Sequence, residues 1–288
     1  MNLKTGRGSG TSEKHGILFA MVQSRLQQTK NFGRIKSYFI ADVMCGEGLY
    51  DTVIGSPFQI LNAIAYAKHP KNGNDIKKPI SVLFNDYSKP KVARLKGNIE
   101  NCKYVLDKQD IEREIEGGLC SKIYYKSQPC EKIISTILSS VSLTKNARVK
   151  GSYPIVYIDP NGAADLPATE IRNLADKNVD MIVNLCTMAH KRTLGMYVVN
   201  NPKTKNDQLS KEFQLKGITH IEIHDLVESL FTKEQLEHIH ISEPMGSYGF
   251  VMISFFHGTP LKDLGRNFRV IKYSDYKQKL MINMEDVA

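Results

Sequence analysis

Residues 38–57, YFIADVMCGEGLYDTVIGSP, limit what this chain can fold into more than any other stretch. Residues 38–43 are apolar and rich in β-formers, the pattern of a buried strand. That strand ends at Asp42, and the chain then turns through Cys45, Gly46, Glu47 and Gly48. A second turn, Gly55-Ser56-Pro57, leads into a helical pattern over residues 58–68. Strand, glycine turn and helix form the front half of a βαβ unit, in which ligands sit outside the carboxyl ends of the strands. The glycines let backbone approach a ligand that a side chain would push away. An acid at the strand end, beside bare backbone, suits a ligand with a cationic amine and suits a pyrophosphate badly, which favours S-adenosylmethionine over NAD or ATP. A plain tight turn has the same local sequence. Neither the full dinucleotide fingerprint nor a phosphate-binding loop with its Lys-Ser/Thr is present in this stretch.

The same rhythm recurs along the chain. A second strand over 80–86 ends at Asp86, and a helix carrying Val92, Leu95 and Ile99 follows. A third, 122–126, ends at Ser127-Gln128-Pro129 ahead of a helix with Ile133, Ile134, Ile137 and Leu138. A fourth, 153–158, runs into Asp159-Pro160-Asn161-Gly162, after which Pro167 can start a helix. A fifth covers 181–186. Strands alternating with helices at this spacing predict a doubly wound α/β fold, a mostly parallel sheet covered on both faces.

The flanks read differently. Residues 1–10 are polar and glycine-rich, an arm expected to be mobile, and a helix is expected from Thr11 or Ser12 to about residue 28. Residues 104–118 read as a charged helical insert. Residues 193–222 are polar and irregular, an insertion that suits a loop or a partner-binding segment. A helix over 224–236 and an antiparallel hairpin, 238–242 with 248–256, close the sheet. The division expected is an N-terminal arm and helix (1–30), a Rossmann-like domain (31–260) and a basic tail (261–288) with a loosely held end.

Composition narrows the setting. No apolar run reaches the roughly 18 residues that span a bilayer, so no membrane association is expected. The N-terminus lacks the apolar core of a signal peptide, and the expected compartment is the cytoplasm. The five cysteines are scattered without a C-x-x-C pair, which reads as reduced thiols and no zinc site. A net charge of +9 suits a polyanionic partner, DNA or RNA, although many basic proteins bind neither.

Two sets of candidate residues follow. Asp42, Cys45, Gly46 and Gly48 would shape the methionine side of a cofactor pocket. Asp86 would accept both hydroxyls of a ribose, unless it is simply a solubilising acid at a strand end. The fourth strand lies beside the first in a doubly wound sheet, which puts Asp159 across the cleft from Asp42 and Gly46. There Asp159 and Asn161 would orient an acceptor amine, with Pro160 fixing the turn and leaving carbonyls free to accept. Amino-directed methyltransferases place D-P-P-Y or N-P-P-Y at this point. The bond makes the amine more nucleophilic, and positioning supplies much of the rate. D-P-N-G is also a good type I turn.

Taken in order, YFIADVMCGEG, IGSPFQIL, VLFNDYS, YIDPNG and VDMIVNL resemble the three-Cys-motif partner proteins. That pattern has an aspartate-led glycine loop, a following G-S-P and a later D-P-F-G. The N-terminal TSEKHGIL and the closing YGFVMISFF are similar to the family's ends, so the likeness runs over about residues 11–257. It implies a Rossmann-like class I methyltransferase fold that binds S-adenosylmethionine. Two positions depart from it. Asn161 stands where the family has an aromatic, a wall that Tyr157, Tyr50 or Phe255 would have to replace. Gln128 stands where an acid would hold the adenine amino group, which the Gln128 side-chain carbonyl can also do. The reading is an S-adenosylmethionine-dependent, nitrogen-directed methyltransferase acting on a base amine in DNA or RNA. The alternative is a catalytically weak or inactive cofactor- or nucleic-acid-binding partner of another protein. A nuclease lacks the paired carboxylates its metals need.

Overall fold

The computed structural model describes residues 4–5, 9–50, 53–68, 76–102, 104–106, 112–115, 118–142, 152–160, 165–186, 212, 222–243, 245, 250–256 and 270–278. The first half contains β1 (Lys4–Thr5), α1 (Ser9–Thr29), β2 (Ser37–Asp42), β3 (Leu49–Tyr50), β4 (Val53–Ile54), α2 (Ser56–Ala67), β5 (Ile80–Asn85) and α3 (Lys89–Cys102). Then come β6 (Tyr104–Leu106), β7 (Glu112–Glu114), β8 (Lys122–Lys126), α4 (Cys130–Ser142), β9 (Ser152–Ile158), α5 (Ala168–Asp176) and β10 (Asp180–Cys186). The chain closes with α6 (Ile223–Leu230), α7 (Lys233–Leu236), β11 (Ile239–Ser242), β12 (Phe250–Phe255) and β13 (Val270–Lys272).

The central sheet has the order β13-β11-β12-β10-β9-β2-β5-β8. Strands β10, β9, β2, β5 and β8 run parallel, and β12, β11 and β13 are added antiparallel. From β2 the chain steps outward through β5 to β8, then returns to β9 on the other side. The order therefore reverses between β2 and β9, and the crevice at such a reversal is where open α/β sheets bind ligands. The fold is the doubly wound, Rossmann-like one expected from the alternation of elements. The strands read as near-continuous apolar runs because both faces are covered. One core packs α1, α2 and the α3 residues Leu95 and Ile99 on one face of the sheet. The other packs α4, α5 and α6 on the opposite face.

Helix α1 lies along the first face. Leu18, Met21, Val22 and Leu26, at helical spacing, are fully buried. Burial of this kind is worth about 1.5–3 kcal/mol per large side chain. At its far end Thr29 Oγ1 meets Tyr38 Oη at 3.0 Å.

Several expectations are corrected. Within the N-terminal arm, β1 pairs in parallel with β4, and α1 begins at Ser9 rather than at Thr11 or Ser12. The turn between Gly48 and Gly55 contains two short strands, β3 and β4, paired antiparallel. The expected helical insert at 104–118 is instead an antiparallel pair, β6 with β7. Tyr104-Val105-Leu106 is an aromatic and β-branched run, which favours a strand over a helix. The expected single helix at 224–236 is two. Phe231 is extended and Thr232 starts a new turn with a capping box, its side chain accepting from Gln235 N–H while Gln235 returns a bond to Thr232 N–H. The hairpin forms as β11 with β12. Beyond it, β13 extends the sheet by one strand, and Tyr273, buried, donates to Glu228 at 3.1 Å. The 193–222 insertion lies outside the described residues except for residues 212 and 222. Among the described residues no helix is long and apolar enough to cross a membrane.

Candidate functional site

The carboxyl ends of β2, β5 and β9 bring three acids together. Asp42 is directly opposite Tyr157 in the β2–β9 register, and Asp159 lies two residues beyond Tyr157, so both acids share one face of adjacent strand ends. Asp42 is wholly buried. Ser56 Oγ donates to its Oδ2 at 2.7 Å and the Met44 N–H to its Oδ1 at 3.3 Å. Burial, with the nearby charges of Asp159 and Asp86, pushes the Asp42 carboxyl up to about 7 against the pull of the Ser56 hydroxyl. Asp42 therefore organises the loop from behind and ties the Gly55-Ser56-Pro57 turn to the strand end.

The glycine turn is held by the same chemistry. The Gly46 N–H donates to Asp86 Oδ2 at 3.0 Å, and the Cys45 N–H to the Asn85 carbonyl at 2.8 Å. Gly46 and Gly48 have φ of 63° and 74°, the left-handed region glycine occupies without strain. A Cβ on Gly48 would also stand 2.4 Å from Leu95 Cδ1. Cys45 is buried, and burial, reinforced by Asp42 and Asp86, pushes its thiol far above the usual range, so it is no nucleophile.

Asp86 faces a cleft of about 590 Å³ whose wall includes Val43, Met44, Tyr87, Lys91, Glu131 and Asp165. The volume is in the range of small-molecule sites. Its two oxygens already accept the N–H groups of Gly46 and Ser88, the latter at 2.8 Å. An ionised carboxylate keeps further lone pairs for a ligand. Tyr87, beside it, is 78% exposed, a flat apolar surface held at the rim.

Asp86 is the one predicted cofactor residue that lines this cleft. Gln128 does not, but its backbone is fixed at the edge. Its N–H donates to Asn85 Oδ1 at 3.1 Å and its carbonyl accepts from Asn85 Nδ2 at 3.0 Å. Asn85 Nδ2 also reaches the Val43 carbonyl at 2.9 Å, so one buried amide ties the ends of β2, β5 and β8 together. Sequence reading missed Asn85. Its only signal is an amide at the last position of an apolar strand.

Asp159, one residue past β9, is the most heavily bonded of the three acids. Lys14 Nζ donates to its Oδ2 at 2.8 Å, Tyr157 Oη to the same oxygen at 3.1 Å, and Asn184 Nδ2 to Oδ1 at 2.6 Å. Burial works to raise its pKa. The Lys14 charge and the three hydrogen bonds outweigh that and hold the carboxyl below its ordinary value. Asp159 is thus an anion that faces α1. Pro160 follows it at intermediate exposure, and Asn161 lies outside the described residues. Neither Tyr157 nor Phe255 provides the wall sought for a flat base: Tyr157 is buried with its hydroxyl on Asp159, and Phe255 is buried against Phe231. Lys14 and Asn184 were also missed, because each acts through a contact distant in sequence.

The reversal of strand order, with the acids gathered there, gives the chain a doubly wound, Rossmann-like α/β architecture. No family model matches the sequence, and no curated protein matches it. Among solved structures, the plantazolicin methyltransferase BamL, in complex with a triazolic desmethylPZN analog and SAH, is 14% identical with a TM-score of 0.34, over 79% of this chain and 66% of that one. Trm1 from Pyrococcus horikoshii, with S-adenosyl-L-methionine, is 11% identical with a TM-score of 0.43, over 89% and 59%. The SAH-bound methyltransferase PaMTH1 from Podospora anserina is 12% identical with a TM-score of 0.38, over 85% and 78%. The chain therefore spans less than two thirds of the first two. Likeness at this level does not transfer activity, because one fold serves many chemistries.

Proposed function

We propose that this chain is an S-adenosylmethionine-dependent methyltransferase that acts on an exocyclic amine of a base in DNA or RNA. The observation that carries the reading is the convergence of Asp42, Asp86 and Asp159 on adjacent strand ends at the reversal of the sheet. The cleft residues fit this cofactor. Asp86, Glu131 and Asp165 stand against a single lysine, Lys91, in its wall. Such a wall favours a cationic ligand and repels the phosphates of a nucleotide. S-adenosylmethionine supplies, when bound, an electrophilic methyl group on a sulfonium. Asp86 would accept the ribose hydroxyls, Tyr87 would lie against the adenine, and Asp42 would keep the Gly46 turn in place. Gln128 would hold the adenine edge. Asp159, with Pro160 and Asn161, would orient the acceptor amine. The resemblance to three-Cys-motif partner proteins and the net charge of +9 point the same way.

One observation favours the second reading, a weak or inactive partner protein. Lys14 stands on the carboxylate that the acceptor amine would use. The test is incubation with methyl-labelled S-adenosylmethionine and mixed DNA and RNA. Label in the bases, abolished by Asp159→Ala, is the expected result. Cofactor binding without transfer would leave the partner reading in its place.

A further inference from the structure

Asn184 is on β10, 1% exposed, beside Asp159. Its Nδ2 donates to Asp159, while its Oδ1, equally buried, has no hydrogen-bond partner among the described residues. Turning the amide over does not help, since its oxygen would then face an ionised carboxylate at 2.6 Å. A buried carbonyl without a donor is costly, and native structures hold few of them. Its neighbours on the strand, Ile182, Val183 and Leu185, are all apolar and fully buried, so an aliphatic side chain would satisfy the position if packing were its only task. A second such atom is close by. His15 follows Lys14 on α1, is 5% exposed, and its Nδ1 has no partner among the described residues. It is near enough to Lys14 and Asp159 to feel both charges. The Lys14–Asp159 pair is thus flanked by two buried polar atoms without hydrogen-bond partners among the described residues.

We propose that Asn184 selects the acceptor: its Oδ1 accepts a hydrogen bond from the nitrogen that receives the methyl group, while its Nδ2 keeps Asp159 turned toward that same nitrogen. This rests on the nitrogen-directed reading above and narrows it. Two acceptors side by side, Asn184 Oδ1 and Asp159, suit an NH₂ group with two hydrogens, as on adenine, cytosine or guanine. A base with a carbonyl in that place, such as hypoxanthine or uracil, brings lone pairs to Oδ1 and is rejected. In the transfer, the acceptor nitrogen bonds the methyl carbon as that carbon's bond to sulfur breaks. The sulfur keeps the electron pair and becomes a neutral thioether, and the nitrogen gives one proton to water. Asn184 carries no proton in this step.

The test compares the full-length chain with Asn184→Leu in three measurements. The first is label transfer from S-adenosylmethionine to oligonucleotides of adenosine, cytidine, guanosine, inosine or uridine. The second is cofactor affinity by calorimetry, and the third is the urea midpoint of unfolding. The expected result is transfer to one or more of the adenosine, cytidine and guanosine oligonucleotides and to neither inosine nor uridine. In the variant kcat/KM falls about 100-fold, cofactor affinity changes less than about twofold and the urea midpoint is unchanged or higher. Transfer by the variant equal to that of the natural chain overturns the role of Asn184 alone. So does a lowered midpoint together with lost cofactor binding, which would make Asn184 structural. A natural chain that binds cofactor and labels none of the five oligonucleotides overturns the base-amine reading, and this inference with it.

Discussion

Helix α1 is pinned to the sheet at two places, each by a cation on an acid, and the two pins are built differently. Towards its C-terminal end Arg25 bonds Asp180 and Tyr153, and Tyr153 bonds Asp180 in turn. Both charged side chains are 1% exposed, and the guanidinium lies over the rings of Tyr153 and Phe256 at 5.7 and 5.0 Å. Towards the N-terminal end Lys14 meets Asp159, at 13% and 17% exposure, beside Asn184 Oδ1 and His15 Nδ1, which have no hydrogen-bond partner among the described residues. The first pin is at the amino ends of the strands, where such sheets do not bind ligands. The second is at the carboxyl ends, where they do. The first network is densely bonded and buried, whereas the second leaves two buried atoms without partners among the described residues.

The largest expected effect tests the first pin. Arg25→Ala leaves Asp180 as an uncompensated buried charge and should cost about 3–5 kcal/mol in urea unfolding. A loss below about 1 kcal/mol would show that this end of the helix is not a structural lock. Next in size is Asp42→Asn. The Asp42 carboxyl titrates near 7 when folded and near 3.9 when unfolded, so the folded state binds more protons between those values. Its contribution is fully present below about pH 4 and is lost as pH rises through about 7. The variant should therefore match the natural chain at pH 4 and exceed it by about 2–4 kcal/mol at pH 8. Equal stability at both pH values would mean that Asp42 is not a strained acid. Smallest is Lys14→Met, which should cost less than Arg25→Ala, because Asp159 keeps the bonds from Tyr157 and Asn184. It should also let the Asp159 carboxyl titrate at a higher pH, read by carboxyl-carbon NMR. A stability loss as large as that of Arg25→Ala would erase the contrast between the pins.

The parts legible in sequence share a physical basis. Strands covered on both faces are continuous apolar runs, so 38–43, 80–86 and 153–158 stood out, and an acid at the end of such a run is conspicuous. The ribbon at 104–114 was hidden because its charged residues mimic a solvated helix. The break at Phe231–Thr232 carried a readable signal, Thr232 three residues before Gln235, but lay inside a continuous helical pattern. Site residues were legible only where chain order places them. Asp42, Asp86 and Asp159 follow from strand ends. Lys14 reaches Asp159 from 145 residues away and Asn85 joins loops 42 and 43 residues off, and no local pattern encodes such contacts.

The account rests on a cationic ligand held by Asp86 in front of the loop that Asp42 supports, and calorimetry with S-adenosylmethionine at pH 7 in two buffers of different ionisation heat tests this most directly. A positive ligand in front of that loop should draw the proton off Asp42, which is about half protonated at pH 7, so the observed heat should differ between buffers by the heat of up to about half a proton, and Asp86→Ala should weaken binding about 100-fold. Binding with no buffer dependence and no loss in Asp86→Ala, or no binding at all, would contradict it.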